Sequence, residues 1–260
     1  LPTVVRIPIP EKGKEEDALK ALDNIDLTEL CGFIYEPLVQ GAAGMQFYEA
    51  SALDPILKKI KDAGAFLIAD EVMTGFGRLE TMFASEQTEI KPDIMCLSKG
   101  LTAGVLPMGL TVATEEVYRG FYDDDKSKAL MHGHSFTANP VGCAAAIAGL
   151  ELWESDEIQQ QRKNLITRQN GFAEKLEAHS MATNIRVKGT LLALDVRSDE
   201  TSNYHNGLRD ELYGFFIKNG VLIRPLGNVI YVLPPYTITE VELEKVHTSI
   251  WSCLDEIEKL

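Results

Sequence analysis

Two residues that could act together in catalysis, Asp70 and Lys99, each follow a short apolar segment. Residues 66–69 are uniformly apolar and lead directly into Asp70, and residues 94–97 are uniformly apolar and end just before Ser98 and Lys99. Short, continuously apolar segments are typical of buried parallel strands. The carboxyl ends of such strands form the edge of an open α/β sheet where ligands bind. The sequence therefore predicts a carboxylate and an amine at one ligand-binding edge.

A lysine and an aspartate in these positions are the two protein groups that pyridoxal 5'-phosphate (PLP) chemistry needs. The lysine amine can form a Schiff base with a carbonyl group. The aspartate can hold a pyridine nitrogen in its protonated form. An isolated aspartate and lysine at strand ends are more often ordinary surface residues, so the choice between the two interpretations depends on the surrounding motifs.

Length, composition and charge limit the classes of function. The 260 residues, 45% of them hydrophobic, are enough for one large domain or two ordinary ones. The net charge of −14 argues against nucleic-acid binding, which needs a basic face. The four cysteines show no metal or CxxC spacing, which favours a reducing compartment such as the cytoplasm. No apolar segment approaches the ~18 residues of a membrane span, and residue 1 onward shows no signal-peptide pattern.

Strands alternate with helices through the first part of the chain, which is typical of βαβ units around a parallel sheet. Predicted strands lie at 3–9, 32–36, 66–69, 94–97 and 110–113. Predicted helices lie at 15–30, 51–64 and 141–153, and a further helix begins after Thr114 as its N-cap. Beyond residue 155, predicted helices at 157–179, 204–219 and 239–257 flank short strands at 185–187, 191–196, 221–223 and 229–233. We therefore expect an α/β domain over residues 1–155 and a small α+β domain over residues 156–260.

Six segments, taken in order, resemble the class III (fold type I) PLP-dependent aminotransferases. They are YEPLVQG at 35–41, ADEVMTGFGR at 69–78, KPDI at 91–94, SKGL at 98–101, HGHSFTANPVGCAA at 132–145 and IRPLGNVIYVLPP at 223–235. The resemblance covers nearly the whole chain. It implies part of a PLP-transferase major domain, with a mostly parallel sheet and helices on both faces, followed by a small C-terminal α+β domain. It also implies a homodimer with sites at the subunit boundary.

The resemblance assigns the cofactor-binding roles to four residues. Lys99 would hold PLP and then act as general base, and Asp70 would pair with the ring nitrogen. Val72, in strand register with Asp70, would pack on one face of the ring, although simple core packing is an equal alternative. Ser135 would bind the phosphate at a position where relatives more often have threonine, reaching the cofactor of the opposite subunit.

Five further residues would contact the substrates. Arg224 would bind the substrate carboxylate as a bidentate fork, and Tyr231 would line the same pocket. Arg78 and Gly133 match substrate-pocket positions of the family. Glu36 matches a glutamate that can pair with the carboxylate-binding arginine, although a strand-end cap is nearly as good an interpretation.

The resemblance also indicates a branch of the family. Met73 stands where many relatives have a glutamine, which favours the branch of biotin biosynthesis, as do residues 131–146 and 224–236. That branch implies S-adenosylmethionine as amino donor and 8-amino-7-oxononanoate as acceptor. A transaminase for another ω-amine or keto acid, or an inactive dimerisation fragment, is the alternative. His132 and His134 lack a third ligand at metal spacing, so we expect no metal.

Family elements that precede the matched region have no counterpart here. These are a glycine–serine phosphate loop, a tyrosine stacked on the ring and the pocket tryptophans. The expectation is that these 260 residues are the C-terminal portion of an aminotransferase. Expressed alone, they should be inactive and poorly soluble or partly unfolded, because a parallel sheet cannot leave its faces and edges bare.

Overall fold

The computed structural model describes residues 3–198 and 206–259, and these form two compact units. Unit 1 comprises Leu1–Val39, Phe47–Phe76 and Thr81–Leu152. Unit 2 comprises Gln40–Gln46, Gly77–Glu80 and Trp153–Leu260. Two short segments from the first half of the chain thus belong to the second unit, which the sequence did not indicate.

Unit 1 is built on a four-stranded sheet. Its strands are β1 (Gly32–Tyr35), β4 (Phe66–Asp70), β5 (Ile94–Leu97) and β6 (Leu110–Ala113), in that order across the sheet. The pairs β1–β4 and β4–β5 are parallel and β5–β6 is antiparallel. The accompanying helices are α1 (Glu15–Leu22), α2 (Ala50–Asp62), α3 (Glu115–Arg119) and α4 (Pro140–Glu154), and β2 (Val39–Gln40) pairs with β3 (Gln46–Phe47). The predicted α/β class with a mostly parallel sheet is confirmed.

Helix α2 covers one side of β4. Its residues Leu53, Ile56, Leu57 and Ile60 recur at helical spacing, so they form one apolar face, and all four are buried in a cluster with Leu67. Burying a side chain of this size contributes roughly 1.5–3 kcal/mol. This face fixes β4, and with it the position of the residues at its carboxyl end.

Two expectations near the start of the chain are wrong. Residues 3–9 form no strand, because Pro8 and Pro10 lack the N–H that a ladder needs. The helix expected over residues 15–30 ends at Leu22. Asn24 and Asp26 follow, and their side chains bond to nearby backbone groups in place of further helical bonds.

Unit 2 has a three-stranded antiparallel sheet with strands β7 (Ala182–Lys188), β8 (Leu191–Val196) and β9 (Val229–Val232), in that order. Its helices are α5 (Asp156–Leu176), α6 (Arg209–Lys218) and α7 (Glu240–Ile257). All six residues of the central strand β8 are buried. The predicted start of α7 is confirmed, because Thr239 and Glu242 form a capping box.

The strand expected at residues 221–223 is wrong. Burial alternates along Val221, Leu222 and Ile223, but no neighbouring strand pairs with this segment in the described sheet. The expected helix over 204–219 begins at Arg209, and residues 204 and 205 lie outside the described residues.

None of the described helices is both long enough and apolar enough to cross a membrane.

Candidate active site

Three neighbouring strands of unit 1 end at the same edge of the sheet. In the parallel register Tyr35 lies opposite Ala69, so Glu36, just after β1, comes next to Asp70, the last residue of β4. Asp70 in turn lies opposite Cys96, three residues before Lys99. The sheet therefore brings Glu36, Asp70 and Lys99 to one edge, where open α/β sheets bind ligands.

The Asp70 carboxylate is half-buried and only partly used by the protein. Its Oδ1 accepts a hydrogen bond from the backbone N–H of Val72 at 3.1 Å, and Oδ2 has no partner within the described part of the chain. Burial and then the charge of Asp70 raise the pKa of the Cys96 thiol. The carboxylate thus keeps one oxygen for an outside donor.

Val72 does not continue strand β4. The strand ends at Asp70, and Val72 lies in the turn beyond it. The expectation that Val72 continues the strand register of Asp70 is therefore wrong, because the Val72 N–H bonds to the Asp70 side chain and not to β5. Half-buried beside Asp70, it is still a candidate for contact with a ring.

Lys99 has an unusual backbone conformation. Its φ is +43°, in the left-handed region, at the start of a short 3₁₀ turn, Lys99–Thr102. Such a conformation costs about 1–3 kcal/mol for a residue with a side chain and is often found at functional sites. Lys99 is exposed, and across residues 3–198 and 206–259 its amine forms no hydrogen bond or ion pair.

Glu71, next to Asp70, is a positioning residue that the sequence analysis missed. It is fully buried, and its carboxylate accepts hydrogen bonds from Thr74 Oγ1 at 2.5 Å, Ala84 N at 3.1 Å and Ser85 N at 2.7 Å. These bonds satisfy the buried charge and fix the turn after β4. The signal present in the sequence was a hydroxyl three residues after an acid at a strand end.

The KPDI motif acts through Asp93, which is buried at the start of β5. Its Oδ2 accepts a hydrogen bond from Leu67 N at 2.8 Å, and its Oδ1 forms an ion pair with Lys61. Asp93 thereby joins the beginning of β5 to β4. The motif is therefore structural, and it sets the strand that leads to Lys99.

Gly133 and Ser135 lie in an exposed loop before α4. The loop is ordered by its own bonds, among them His134 N to Thr137 Oγ1 at 2.9 Å. Asn139 caps α4 by accepting from Gly142 N at 2.7 Å, so the helix begins at the predicted place. No hydrogen bond in the described structure connects this loop to the strand-end edge.

Glu36 is half-buried at the end of β1. Its backbone carbonyl accepts a hydrogen bond from the Tyr48 hydroxyl. Burial, and then the Glu36 charge, raise the pKa of Tyr48. Glu36 therefore lies among buried groups at the same edge as Asp70.

Arg224 and Tyr231 line one cleft of unit 2, with a volume of about 850 Å³. Tyr231 is half-buried in β9, opposite Ala193 of β8. Arg224 is exposed and makes no hydrogen bond or ion pair with the residues that the structure describes. The cleft also contains Glu242 and Lys245. A free guanidinium beside a phenol suits an anionic ligand with an apolar part.

Arg78 lies elsewhere in unit 2, against the aromatic ring of Tyr236. Its Nη1 donates to the carbonyl of Pro234 at 2.6 Å, and its guanidinium carbon lies 4.6 Å from the Tyr236 ring centre. Burial raises the pKa of Tyr236, while the charges of Arg78 and Arg162 oppose the shift. Tyr236 was not among the predicted site residues, although it directly follows the motif at 223–235.

A histidine and two carboxylates of unit 2, His179, Asp255 and Glu258, have the spacing of metal ligands. His179 Nδ1 accepts a hydrogen bond from Met181 N at 3.2 Å. The proton of a neutral ring is therefore on Nε2, which lies 3.3 Å from Asp255 Oδ1. Since Nε2 then offers no lone pair, this group is a hydrogen-bonded contact between the α5–β7 connection and α7.

The chain matches known proteins both as a member of a family and through individual relatives. The family model described as aminotransferase class-III matches residues 1–254. A curated relative, the adenosylmethionine-8-amino-7-oxononanoate aminotransferase of Synechococcus elongatus, is 42% identical over 247 residues. The match covers 95% of this chain and 58% of that protein.

Solved structures give the same result for the fold. The adenosylmethionine-8-amino-7-oxononanoate aminotransferase of Methanocaldococcus jannaschii matches with a TM-score of 0.78 and 31% identity, over 86% of this chain and 53% of that one. An (S)-enantioselective omega-transaminase of Thermomicrobium roseum matches with a TM-score of 0.84 and 26% identity, over 94% and 55%. The chain thus spans little more than half the length of these proteins.

Proposed function

This chain belongs to the class-III aminotransferases, and we propose that it forms the lysine-bearing part of an enzyme that transfers amino groups with PLP. The observation that carries the proposal is the pair Asp70 and Lys99 at adjacent carboxyl ends of β4 and β5. We further propose two domains, with residues 1–155 as the C-terminal part of the cofactor-binding major domain and residues 156–260 as the minor α+β domain.

The donor set at the strand ends fits PLP. Bound there, PLP would supply a carbonyl that takes up the amino group and a ring that withdraws electrons. The Lys99 amine has no partner in the described ranges 3–198 and 206–259, so it is available for the carbonyl carbon. Asp70 Oδ2 is available to accept the ring N–H, Val72 to contact a ring face, and the Ser135 hydroxyl to donate to the phosphate.

Each residue of the edge then has a defined task. Asp70 keeps a proton on the ring nitrogen, because a carboxylate stabilises the cationic N–H beside it. Lys99 Nζ takes the proton from the carbon that bears the amino group of the donor. With the keto acid, the same amine returns a proton to the carbon that receives the amino group. Glu71 holds the turn after β4 in place during both steps, and Asp93 holds the beginning of β5 against β4.

For the substrates, we propose S-adenosylmethionine as amino donor and 8-amino-7-oxononanoate as acceptor, giving 7,8-diaminononanoate. The names of the relatives from Synechococcus elongatus and Methanocaldococcus jannaschii support this choice, as does Met73. Arg224 would bind the substrate carboxylate and Tyr231 the adjoining chain, in their shared cleft. Gly133 would line the pocket, and Glu36 would balance the charge of an arginine when no substrate is bound.

A transaminase for another amine is the second candidate. The omega-transaminase of Thermomicrobium roseum, with its TM-score of 0.84, favours it. The two candidates differ in the donor that the enzyme accepts.

We propose a homodimer with two sites at the subunit boundary. Large apolar side chains are exposed along residues 105–152, and Val105, Tyr122, Met131 and Phe136 are each at least 73% exposed. Large apolar side chains exposed in such number are typical of interfaces. Since Ser135 lies in the same segment, it would reach the site of the partner. The four free cysteines support a reducing compartment, and we propose the cytoplasm.

The donor half-reaction distinguishes the two candidates. The PLP-loaded holoenzyme is mixed with S-adenosylmethionine alone, and the absorbance change to the aminated cofactor is followed. We expect conversion, and its reversal by 8-amino-7-oxononanoate. Conversion by ornithine or 4-aminobutyrate, with none by S-adenosylmethionine, would contradict the proposed substrates and leave the aminotransferase proposal intact.

A further inference from the structure

Arg162 is a buried cation for which the proposed reaction has so far given no role. It lies in the second turn of α5 and is 5% exposed. Its Nη2 donates to the carbonyl oxygens of Gly77 at 2.9 Å and Glu80 at 2.7 Å, and Nη1 donates to Gln159 Oε1 at 2.6 Å. Burial lowers the pKa of Arg162, and a nearby tyrosine, Tyr236, opposes the shift. Burying a charge costs free energy. The groups that contact Arg162 therefore indicate which part of the structure it stabilises.

The carbonyl bonds of Arg162 fix both ends of the segment Gly77–Glu80. Gly77 has a φ of +84°, and a Cβ atom there would lie 2.0 Å from the Trp153 ring and 2.7 Å from Arg162 Nε. The segment therefore packs directly on these two side chains, with no room for a larger residue. The Trp153 ring also stacks on Arg162, with 4.3 Å between its centre and the guanidinium carbon.

Arg78 lies within this segment, and its backbone is bound from the other side as well. Thr190 N donates to the Arg78 carbonyl at 2.9 Å. A Cβ atom at Gly189 would lie 2.4 Å from the same carbonyl oxygen, so β8 and its turn approach Arg78 as closely as a backbone can. With Arg162 on one side and Thr190 on the other, the Arg78 backbone has little freedom.

The side chains of Arg78 and Arg162 meet at Tyr236. Their guanidinium carbons lie 4.6 Å and 5.8 Å from the centre of its ring. Neither arginine forms an ion pair with a carboxylate among the described residues, so positive charge accumulates here. Arg78 uses one N–H on Pro234 O, and the rest of its fork can bind a carboxylate.

We propose that Arg162 is a positioning residue that holds Arg78 in place to bind the carboxylate of the amino donor, whereas the carboxylate of the keto acid is left to Arg224. This inference rests on the proposed function. Arg162 connects Gly77, Glu80 and Tyr236 through one planar group. A lysine could not do so, because its amine is a single point of charge without a rigid fork.

Calorimetric binding to the enzyme loaded with the aminated form of the cofactor tests the proposal without turnover. S-adenosylmethionine and its methyl ester are titrated separately, and the Kd of the ester divided by the Kd of the acid reports recognition of the carboxylate. We expect Arg162→Met, which keeps the length but not the donors, to lower this ratio about 10- to 100-fold, since small displacements of a binding group have effects of that size. The ester Kd should change little. Arg168→Met is the matched control on the same helix, since Arg168 pairs with Glu240 at the surface, and it should keep the wild-type ratio.

Arg162→Lys covers the case in which the methionine variant fails to fold. It keeps the charge in the same space, and we expect it too to lose selectivity for the acid. An unchanged ratio in either folded variant, an equal loss of acid and ester binding, or a wild type without acid preference would overturn the proposal. A wild type that binds the acid selectively but transfers no amino group would contradict the proposed function alone.

Discussion

The carboxylate of Asp93 accepts a hydrogen bond from the backbone N–H of Leu67 at 2.8 Å. This bond joins the residue immediately before β5 to the second residue of β4. It supports the register in which Asp70 lies opposite Cys96. The distance between the two reactive groups therefore depends on a buried residue that touches neither of them.

Replacing Asp93 by alanine should reduce stability. The change leaves the buried N–H of Leu67 without an acceptor, which costs about 1–3 kcal/mol. Lys61→Met should cost less, because the Lys61 side chain is 41% exposed and water screens its ion pair. Urea unfolding of both variants measures the difference. Equal losses would contradict the role given to the Leu67 bond.

Asp70→Asn should separate cofactor binding from chemistry. The amide can still accept a hydrogen bond, so PLP should bind, but it cannot stabilise a positive charge on the ring nitrogen. We expect the rate of the half-reaction to fall about 100-fold or more. Stopped-flow absorbance measures it. Asp62→Asn, which changes an exposed carboxylate paired with Lys58, should react at the wild-type rate, and a similar loss there would count against the assignment.

Arg224→Met should weaken recognition of the keto acid. Loss of a charge-assisted hydrogen bond to a carboxylate costs about 1.5–3 kcal/mol of binding free energy. We expect the variant to have a higher KM for the keto acid and an unchanged kcat. Arg209→Met is the control, because Arg209 is half-buried and pairs with its neighbour Asp210 outside the cleft. A fall in kcat at constant KM would show that Arg224 does not bind the substrate carboxylate.

His247 should make the stability depend on pH. Burial, with the charges of Lys175 and Arg168, lowers its pKa from 6.5 to about 4. Below pH 6.5 the unfolded chain takes up a proton that the folded chain refuses, so stability falls between pH 6.5 and 4, by up to about 3 kcal/mol. Above pH 6.5 this penalty is absent.

Urea unfolding at pH 7 and pH 5 measures the effect of His247. The ring is stacked on Phe172 at 4.1 Å and bonded to Gln169 Oε1 at 3.0 Å, so His247→Phe keeps the stacking and removes the titration. The variant should lose part of the pH dependence between these values, whereas the exposed His132→Asn should not. An unchanged slope in His247→Phe would contradict the prediction.

The sheet of unit 1 could be predicted because its signals are local. Continuous apolar runs marked β4 and β5, and parallel pairing follows from the helix between β1 and β4. The strand expected at 221–223 shows the limit of this reasoning. Its alternating burial matches a strand, but pairing depends on a neighbour that the segment itself does not specify.

The sequence predicted only those residues of the candidate site that lie within recognisable motifs. Asp70 and Lys99 could be found from strand ends and the family resemblance. Arg162 and Tyr236 could not, because the contact joins α5 to residues more than 70 positions away on either side. Such contacts arise from tertiary packing, and neither hydrophobic period nor local spacing records them.

Borohydride reduction of the PLP-loaded holoenzyme tests the central claim most directly. The reduction fixes the pyridoxyl group to the amine that holds it, and peptide mapping identifies that amine. We predict the label on Lys99 and its loss in Lys99→Ala, with Lys91→Ala labelled as in the wild type, because the Lys91 amine is already bonded to the carbonyls of Glu86 and Thr88. A label on another lysine, or none in the wild type, would contradict the account.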